Sequence, residues 1–550
     1  MNKKRYLHEI VVIALLLAFI VSGCSSNQPT QTSGPQPNSS PSIEATNEPV
    51  MNPTETPIEV TTAVPTPQKG GMLRFGKAQE AVGLDPALVT ATSSRILTAL
   101  VYDRLVSLDD NYNPIPELAE SWDINESGTI YTFHLRKGVT FHDGSELKAS
   151  DVQFTFHRIL NPDTASSWSS KINMIESIEV IDDYTVRFVL SQPYGAFITT
   201  LDSDWASIVP QAAVEEYGDL QTHMDGAGPF ILSEYTPNTR TVLTTNQNYW
   251  GEIPSIDGII FTIIPDEASR LAALRSGDLD MAQLSDPAAV SMASRSENLV
   301  VFSQPTVDYY MVGINTTRPP LNDVRVRQAM SLAIDRQAAL NTVLFGDGLV
   351  SGPIPPTLGK WALPISEMPL FQQDTQKAKD LLAEAGYPDG FSFEILASPQ
   401  YPQFVSIALV LQQQLSAVGI DATIKQVEWG DFITLWKARD FDTFVSYQTA
   451  GSDPDYALYG YFRGGSAFNA VQLSDPDVDK HLDLGRTTID NQARMTIYTD
   501  AQKALALAVP DLFLFTRTEY MGASKNVDGF YLTAVNTFTY PGLRKVWISK

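Results

Sequence analysis

Two short clusters hold the side chains best suited to acid–base or metal chemistry. In Phe141-His142-Asp143-Gly144 an imidazole stands beside a carboxylate, half of a catalytic or metal site. In Asp453-Pro454-Asp455 two carboxylates flank a proline, a candidate pair for general acid–base work. Turns use the same residues: a histidine bonding to backbone beside a glycine, and a proline set between two acids. We read both clusters that way. The chain has no GxxxxGKS/T phosphate loop, no GxSxG nucleophile elbow and no HExxH zinc helix. Its six histidines are scattered, at 8, 134, 142, 157, 223 and 481. Cys24 is the only cysteine, which excludes an intramolecular disulfide and a cysteine-based zinc site. No metal and no cofactor is called for.

These residues sit in an alternation of strands and helices. Tyr131, Phe133 and Leu135 alternate with Thr132 and His134, which predicts a strand with one buried face and His134 on the polar one. A turn at Arg136-Lys137-Gly138 leads to a second short strand, 139–141. Ile178 and Val180, then Asp182-Asp183, then Tyr184, Val186, Phe188 and Leu190 predict a hairpin. Asp374 caps a helix with Ala378, Leu381, Leu382 and Ala385 on one face, stopped by Gly386 and Pro388. Residues 403–418 repeat the helical pattern, 420–424 alternate as a strand, and Asp431 caps a helix through Trp436. This order predicts an α/β fold with substantial parallel sheet.

A chain of 550 residues exceeds one core, so two or three units of roughly 100–200 residues are expected. With 43% apolar residues it is neither collagen-like nor wholly disordered. Acids outnumber bases 63 to 38, and without a basic patch a net charge of −25 argues against a nucleic-acid partner. Lys3, Lys4 and Arg5 precede the apolar run 10–21, which is too short to span the ~30 Å bilayer core. The run ends in Val21-Ser22-Gly23-Cys24, which resembles the bacterial lipoprotein signal, where the cysteine is lipidated and becomes the first mature residue. Residues 25–69 hold nine prolines, fourteen serines and threonines and no aromatic, the composition of an extended tether.

One family resemblance runs in order from about residue 70 to the C-terminus. Leu118-Ala119-Glu120-Ser121-Trp122 is followed by Tyr131 to Val139 and by Phe141-His142-Asp143-Gly144. Then come Gly226-Ala227-Gly228-Pro229-Phe230, Asn248-Tyr249-Trp250 and Arg275-Ser276-Gly277-Asp278-Leu279-Asp280. Asn315-Thr316-Thr317, Asp323-Val324-Arg325-Val326-Arg327-Gln328-Ala329 and Ala333-Ile334-Asp335-Arg336 complete the series. The set resembles the peptide/nickel-type extracellular solute-binding proteins of ABC importers. The resemblance implies a two-lobe periplasmic-binding-protein fold with an extra domain inserted in lobe I and two hinge crossings. Its expected parts are a signal peptide 1–23, the lipidated cysteine and tether 24–69, lobe I at 70–101, 196–281 and 511–550, the inserted domain 102–195, and lobe II 282–510. It implies a monomer that captures peptides or a related small polar solute between the lobes. The protein would work outside the cytoplasm on a lipid anchor, deliver to permease and ATPase subunits that are separate chains, and perform no catalysis.

For the ligand, the resemblance points to a segment near 444–455, where peptide binders carry an aspartate three residues after an aromatic. Here the aromatic is Tyr447, and Ala450 stands three residues on. Ser446, Tyr447 and Gln448 are expected to offer backbone pairing and a stacking ring, with Asp453 the nearest carboxylate. Thr90, Thr92 and Phe515 are expected to contact ligand from the other lobe and the second hinge strand. Trp429, Trp168 and Trp205 are stacking candidates. The substitution at Ala450 keeps open an oligosaccharide or other non-peptide solute, and a surface hydrolase working through Asp453 is the alternative of another class. Replacing Cys24 with serine is expected to release the protein from membranes. A variant that still pellets with membranes after a salt wash would contradict the anchor.

Overall fold

The alternating patterns become a ten-stranded mixed sheet and a separate four-stranded antiparallel one. The computed structural model describes residues 67–535 and 539–549. The leader 1–23, Cys24 and the tether up to residue 66 lie outside the described residues. From one edge, the large sheet runs Ile420–Gln426, Phe391–Ala397, Thr443–Thr449, Leu299–Ile314, Asp511–Ser524, Met281–Leu284, Met72–Lys77, Gly258–Ile263, Arg240–Thr245 and Phe230–Thr236. Four of its nine pairings are parallel and five antiparallel, a mixed sheet in which the parallel part expected from the helix–strand order is present.

Two strands are far longer than the rest, with 16 and 14 residues. Leu299–Ile314 and Asp511–Ser524 run antiparallel from Leu299 opposite Ser524 to Gly313 opposite Asp511. The first half of Leu299–Ile314 pairs with Asp511–Ser524 alone, and the second half takes Thr443–Thr449 on its other side. Met281–Leu284 joins Asp511–Ser524 at the opposite end. The register slips between Pro305 and Tyr309, where proline has no N–H to give the ladder. The Val307 amide there donates to the Ala534 carbonyl instead.

Period two also sorts the cores. Val445 packs with Val312, Leu512, Leu514 and Phe515 under helices that include Val324–Ala333 and Pro402–Ser416. Its neighbour Phe444 packs the other way, with Met311, Phe513 and Phe462. At the far half, Leu73, Phe75 and Phe261 pack on Ile96, Leu97 and Leu100 of the helix Thr92–Val101. The small sheet orders Ala119–Ile124, Ile130–Leu135, Thr185–Leu190 and Ile175–Asp182 and has its own core. There Phe188 meets Phe133 and Phe156 edge-on, at 5.6 and 5.1 Å between centroids.

The predicted strand Ile130–Leu135, the hairpin and the helices Thr375–Glu384 and Pro402–Ser416 form as expected. Two details differ. Residues 139–141 form a single bridge at Thr140, because Phe141 and Leu147 close a tight loop through Ser145 and Val139. The helix read as capped by Asp431 begins at Trp429, with Asp431 in its first turn near the positive end of the dipole. Among the described residues no helix is long and apolar enough to cross a membrane.

The Asp453-Pro454-Asp455 turn ties the small sheet's unit to the large one. Asp453 caps the helix Pro454–Phe462 through the Asp455 amide and lies in a buried pair with Arg494, at 2.6 and 3.0 Å. Asp455 is held by Arg486 at 2.7 and 2.9 Å. Thr199 donates to Asp453 and the Tyr194 hydroxyl to Asp455, both from the other unit. Removing one partner of such a pair leaves a charge buried alone. Asp453→Ala is therefore expected to lower the unfolding free energy by about 3–5 kcal/mol in denaturant titration. A loss under about 1 kcal/mol would show that the pair is solvated.

Candidate functional site

The strand Thr443–Thr449 is covered on one edge and open on the other. Phe391–Ala397 pairs with it only at Thr443 and Phe444. Ala450 donates to the Val307 carbonyl, so alternate residues from 450 back face the long strand. The main-chain groups of Val445, Tyr447 and Thr449 consequently point to the open edge, a template for an added strand.

A cavity of about 250 Å³ lies along this edge. Trp429, Phe432 and Trp436 of the helix Trp429–Ala438, Phe468 of the loop after the helix Pro454–Phe462, and Tyr447 and Gln448 of the strand form its walls. No lining side chain among the described residues is charged. The aromatic wall is braced from behind: Trp429 stacks on Phe432 at 5.1 Å and takes Tyr401 edge-on at 4.9 Å. Gln448 is oriented by the Tyr309 hydroxyl, which donates to its carbonyl at 2.7 Å, while its amide donates to Asp511 at 3.3 Å. Burial holds the Asp511 carboxyl well above the usual carboxylate range, so a neutral acid supports the amide.

Charge gathers beside the cavity. Arg517 stands 4.5 Å over the Tyr447 ring and bonds Asp308 at 3.2 Å. Asp308 is the register partner of Thr449. In the first turn of Thr92–Val101, Arg95 grips Asp204 with contacts of 2.6 and 2.8 Å. Lys171 lies 3.9 Å over the ring of Tyr456. Glu519, two residues past Arg517, accepts from the Tyr540 hydroxyl at 2.5 Å. Desolvation pushes the Glu519 carboxyl up to about 7 against the pull of Tyr540 and Arg517.

The structure draws Ser446, Tyr447 and Gln448 together at the cavity, with Tyr447 exposed. Ala450 is wholly buried behind them. Thr90 and Thr92 are exposed at the start of the helix that carries Arg95, away from that cavity wall. Phe515 is fully buried and packs edge-on against Tyr310, the register partner of Tyr447. Asp453 sits in its pair with Arg494. Trp429 lines the cavity, whereas Trp168 and Trp205 stack on each other in the small sheet's core. His142 donates from Nε2 to the Gly228 carbonyl, and Asp143 accepts from Ser145, so the two do not pair with each other. Asp308, Arg517, Arg95 and Asp204 escaped the sequence reading because more than 100 residues separate the members of each pair. The one available signal was a charge inside each apolar strand, in Thr306-Val307-Asp308-Tyr309 and Leu514-Phe515-Thr516-Arg517.

Two sheet halves joined by two long strands, with a lined cleft beside them, define the architecture of a periplasmic binding protein. The chain belongs to the bacterial extracellular solute-binding proteins, family 5; the model of that family's middle region matches residues 113–469. It is 32% identical over 499 residues to a dipeptide-binding protein of Pseudomonas aeruginosa, covering 84% of this chain and 92% of that one. A periplasmic binding protein, DppA, of Helicobacter pylori, solved with the peptide STSA, superposes with a TM-score of 0.73 at 28% identity, over 88% of this chain and 99% of that one. The oligopeptide-binding protein AppA of Bacillus subtilis, solved with a nonapeptide, gives 0.71 at 27% identity, over 88% of this chain and all of that one.

Because Glu519 holds its proton up to about 7, above the ordinary 4.5, it binds protons that the unfolded chain has released. Its contribution to stability is present below that window and is lost as pH rises through it. Glu519→Gln cannot ionise. Its melting temperature relative to wild type is expected to climb between pH 5 and pH 8, and a constant difference would contradict the buried protonated state.

Proposed function

We propose that this protein captures a peptide in extended form along the open edge at Tyr447 and delivers it to an ABC permease. The observation that carries the reading is the edge of the strand at Tyr447 and Thr449, which the neighbouring strand Phe391–Ala397 leaves uncovered, beside an uncharged aromatic cavity. Backbone pairing on an open edge recognises any peptide, and the cavity selects an uncharged, bulky side chain. Ser446, Tyr447 and Gln448 are the contacting residues, Thr90 and Thr92 approach from the facing lobe, and Asp453 and Phe515 support the wall from within the core. The ligand leaves chemically unchanged; both carboxylates of the Asp453 turn are occupied by arginines, which leaves hydrolysis without its acid–base pair.

The lobes in this reading are 70–101, 196–281 and 511–550 against 282–510, with 102–195 inserted in the first. Motion is concentrated where the long strands slip register, at 305–309. The protein acts as a monomer outside the cytoplasm, held by a lipid on Cys24. A non-peptide solute is the competing outcome, and the same experiment decides it. Calorimetry with the tripeptide Gly-Leu-Phe is expected to give saturable binding. Trp436→Ala should weaken it about ten- to a hundredfold, the cost of uncovering roughly 1.5–3 kcal/mol of apolar contact. Saturation should also shrink the radius of gyration in X-ray scattering. Binding of oligosaccharides in place of di- and tripeptides would overturn the peptide reading, and unchanged scattering at saturation would overturn the closure.

A further inference from the structure

The walls of the aromatic cavity differ in chemistry. Met311, Phe432, Ile433 and Phe468 offer a ligand only carbon and sulfur, whereas Gln448 and Tyr461 bring polar atoms to the same space. Gln448 is buried and fixed at both ends of its carboxamide: the oxygen accepts from the Tyr309 hydroxyl at 2.7 Å, and the nitrogen donates to Asp511 at 3.3 Å. A carboxamide carries two N–H groups, so one is left over. Tyr461 comes from the helix Pro454–Phe462, and its hydroxyl makes no hydrogen bond among the described residues. Burial holds that phenol above its ordinary range, so it keeps its proton and can both donate and accept. Tyr309 responds to burial first, then to Asp511 and Tyr461, which places Tyr461 at the end of the cavity that Gln448 occupies. The cavity therefore has a greasy body and one polar end.

We propose that this cavity takes a phenol, so that the protein prefers peptides with a tyrosine side chain at the position that enters it. The inference rests on the peptide site proposed along Tyr447 and goes further by choosing among bulky uncharged side chains. A group that meets the Gln448 amide must accept a hydrogen bond, and one that meets Tyr461 can accept or donate. A hydroxyl satisfies both at once; an indole N–H only donates, and a phenyl ring does neither. A charged tip is disfavoured, because no lining side chain among the described residues carries an opposite charge. The volume, about 250 Å³, lies below the roughly 300 Å³ at which small-molecule pockets begin, so it suits one ring and not a whole ligand. A serine or threonine would reach the polar end only by leaving the aromatic walls without contacts. A phenyl ring would fill the body and leave both polar groups buried without partners, and that cost lets a site tell the two rings apart.

Paired probes separate this inference from the reading beneath it. Gly-Leu-Tyr is titrated beside Gly-Leu-Phe, and p-cresol beside toluene, by calorimetry on the full chain. The hydroxylated member of each pair is expected to bind about tenfold tighter, the worth of one hydrogen bond made and one buried group no longer left unpaired. Tyr461→Phe, which removes a single oxygen, should cut that preference to about threefold by weakening the hydroxylated member. Gln448→Met, which keeps the length and loses both N–H groups, should also lower it. Equal affinity of the two peptides in wild type overturns the inference and leaves the peptide reading standing alone. A preference that both variants leave intact overturns it too, since the hydroxyl is then read elsewhere. So does failure of both Gly-Leu-Tyr and p-cresol to bind. If p-cresol is preferred to toluene and no peptide binds, the phenol site stands and the peptide reading falls.

Discussion

The ladder between Leu299–Ile314 and Asp511–Ser524 holds the rest of the molecule in register. Each strand is long enough to belong to both halves of the large sheet, so the halves cannot slide without breaking main-chain hydrogen bonds. A slip of one residue would turn Phe513 and Phe515 to the wrong cores, which lie on opposite faces. The same ladder sets Tyr310 against Phe515 on one side and Tyr447 on the other, and brings Arg517 to Asp308. The ladder falters at two places, between Pro305 and Tyr309 and between Tyr310 and Met311.

Desolvation explains where the charges went. Asp453, Asp455, Asp204 and Asp308 are all nearly inaccessible, and each meets an arginine. A buried carboxylate without such a partner would cost several kcal/mol, so these positions demand cations from distant parts of the chain. Asp511 is the exception: it has an amide for company and no cation, and burial keeps it neutral. The neutral acid steadies Gln448, while the paired acids steady arginines that reach the cleft. The same residue type thus meets a guanidinium at four of these positions and a carboxamide at the fifth.

Much of this was legible in the residues themselves. The alternation of Tyr131, Phe133 and Leu135 and the cap at Asp374 report local geometry, and both elements form as read. The loop at 139–141 did not follow its pattern, since Phe141 bonds Ser145 four residues on. Collinear motifs placed the chain in its family, and the same resemblance pointed to the segment 446–448, which lines the cavity.

What the sequence determined by itself is what neighbours along the chain can settle: the elements, their inward faces, the family, and the absence of a nucleophile or zinc motif. Tertiary structure alone decided the charged wall. Arg517 and Asp308 lie 209 residues apart, and Arg95 and Asp204 lie 109 apart. No spacing rule connects them, because the distance that matters is set by strand register and by a helix packed across the cleft. The edge of Thr443–Thr449 was equally invisible: whether a strand is covered depends on how far its neighbour extends, and Phe391–Ala397 leaves its side after Phe444.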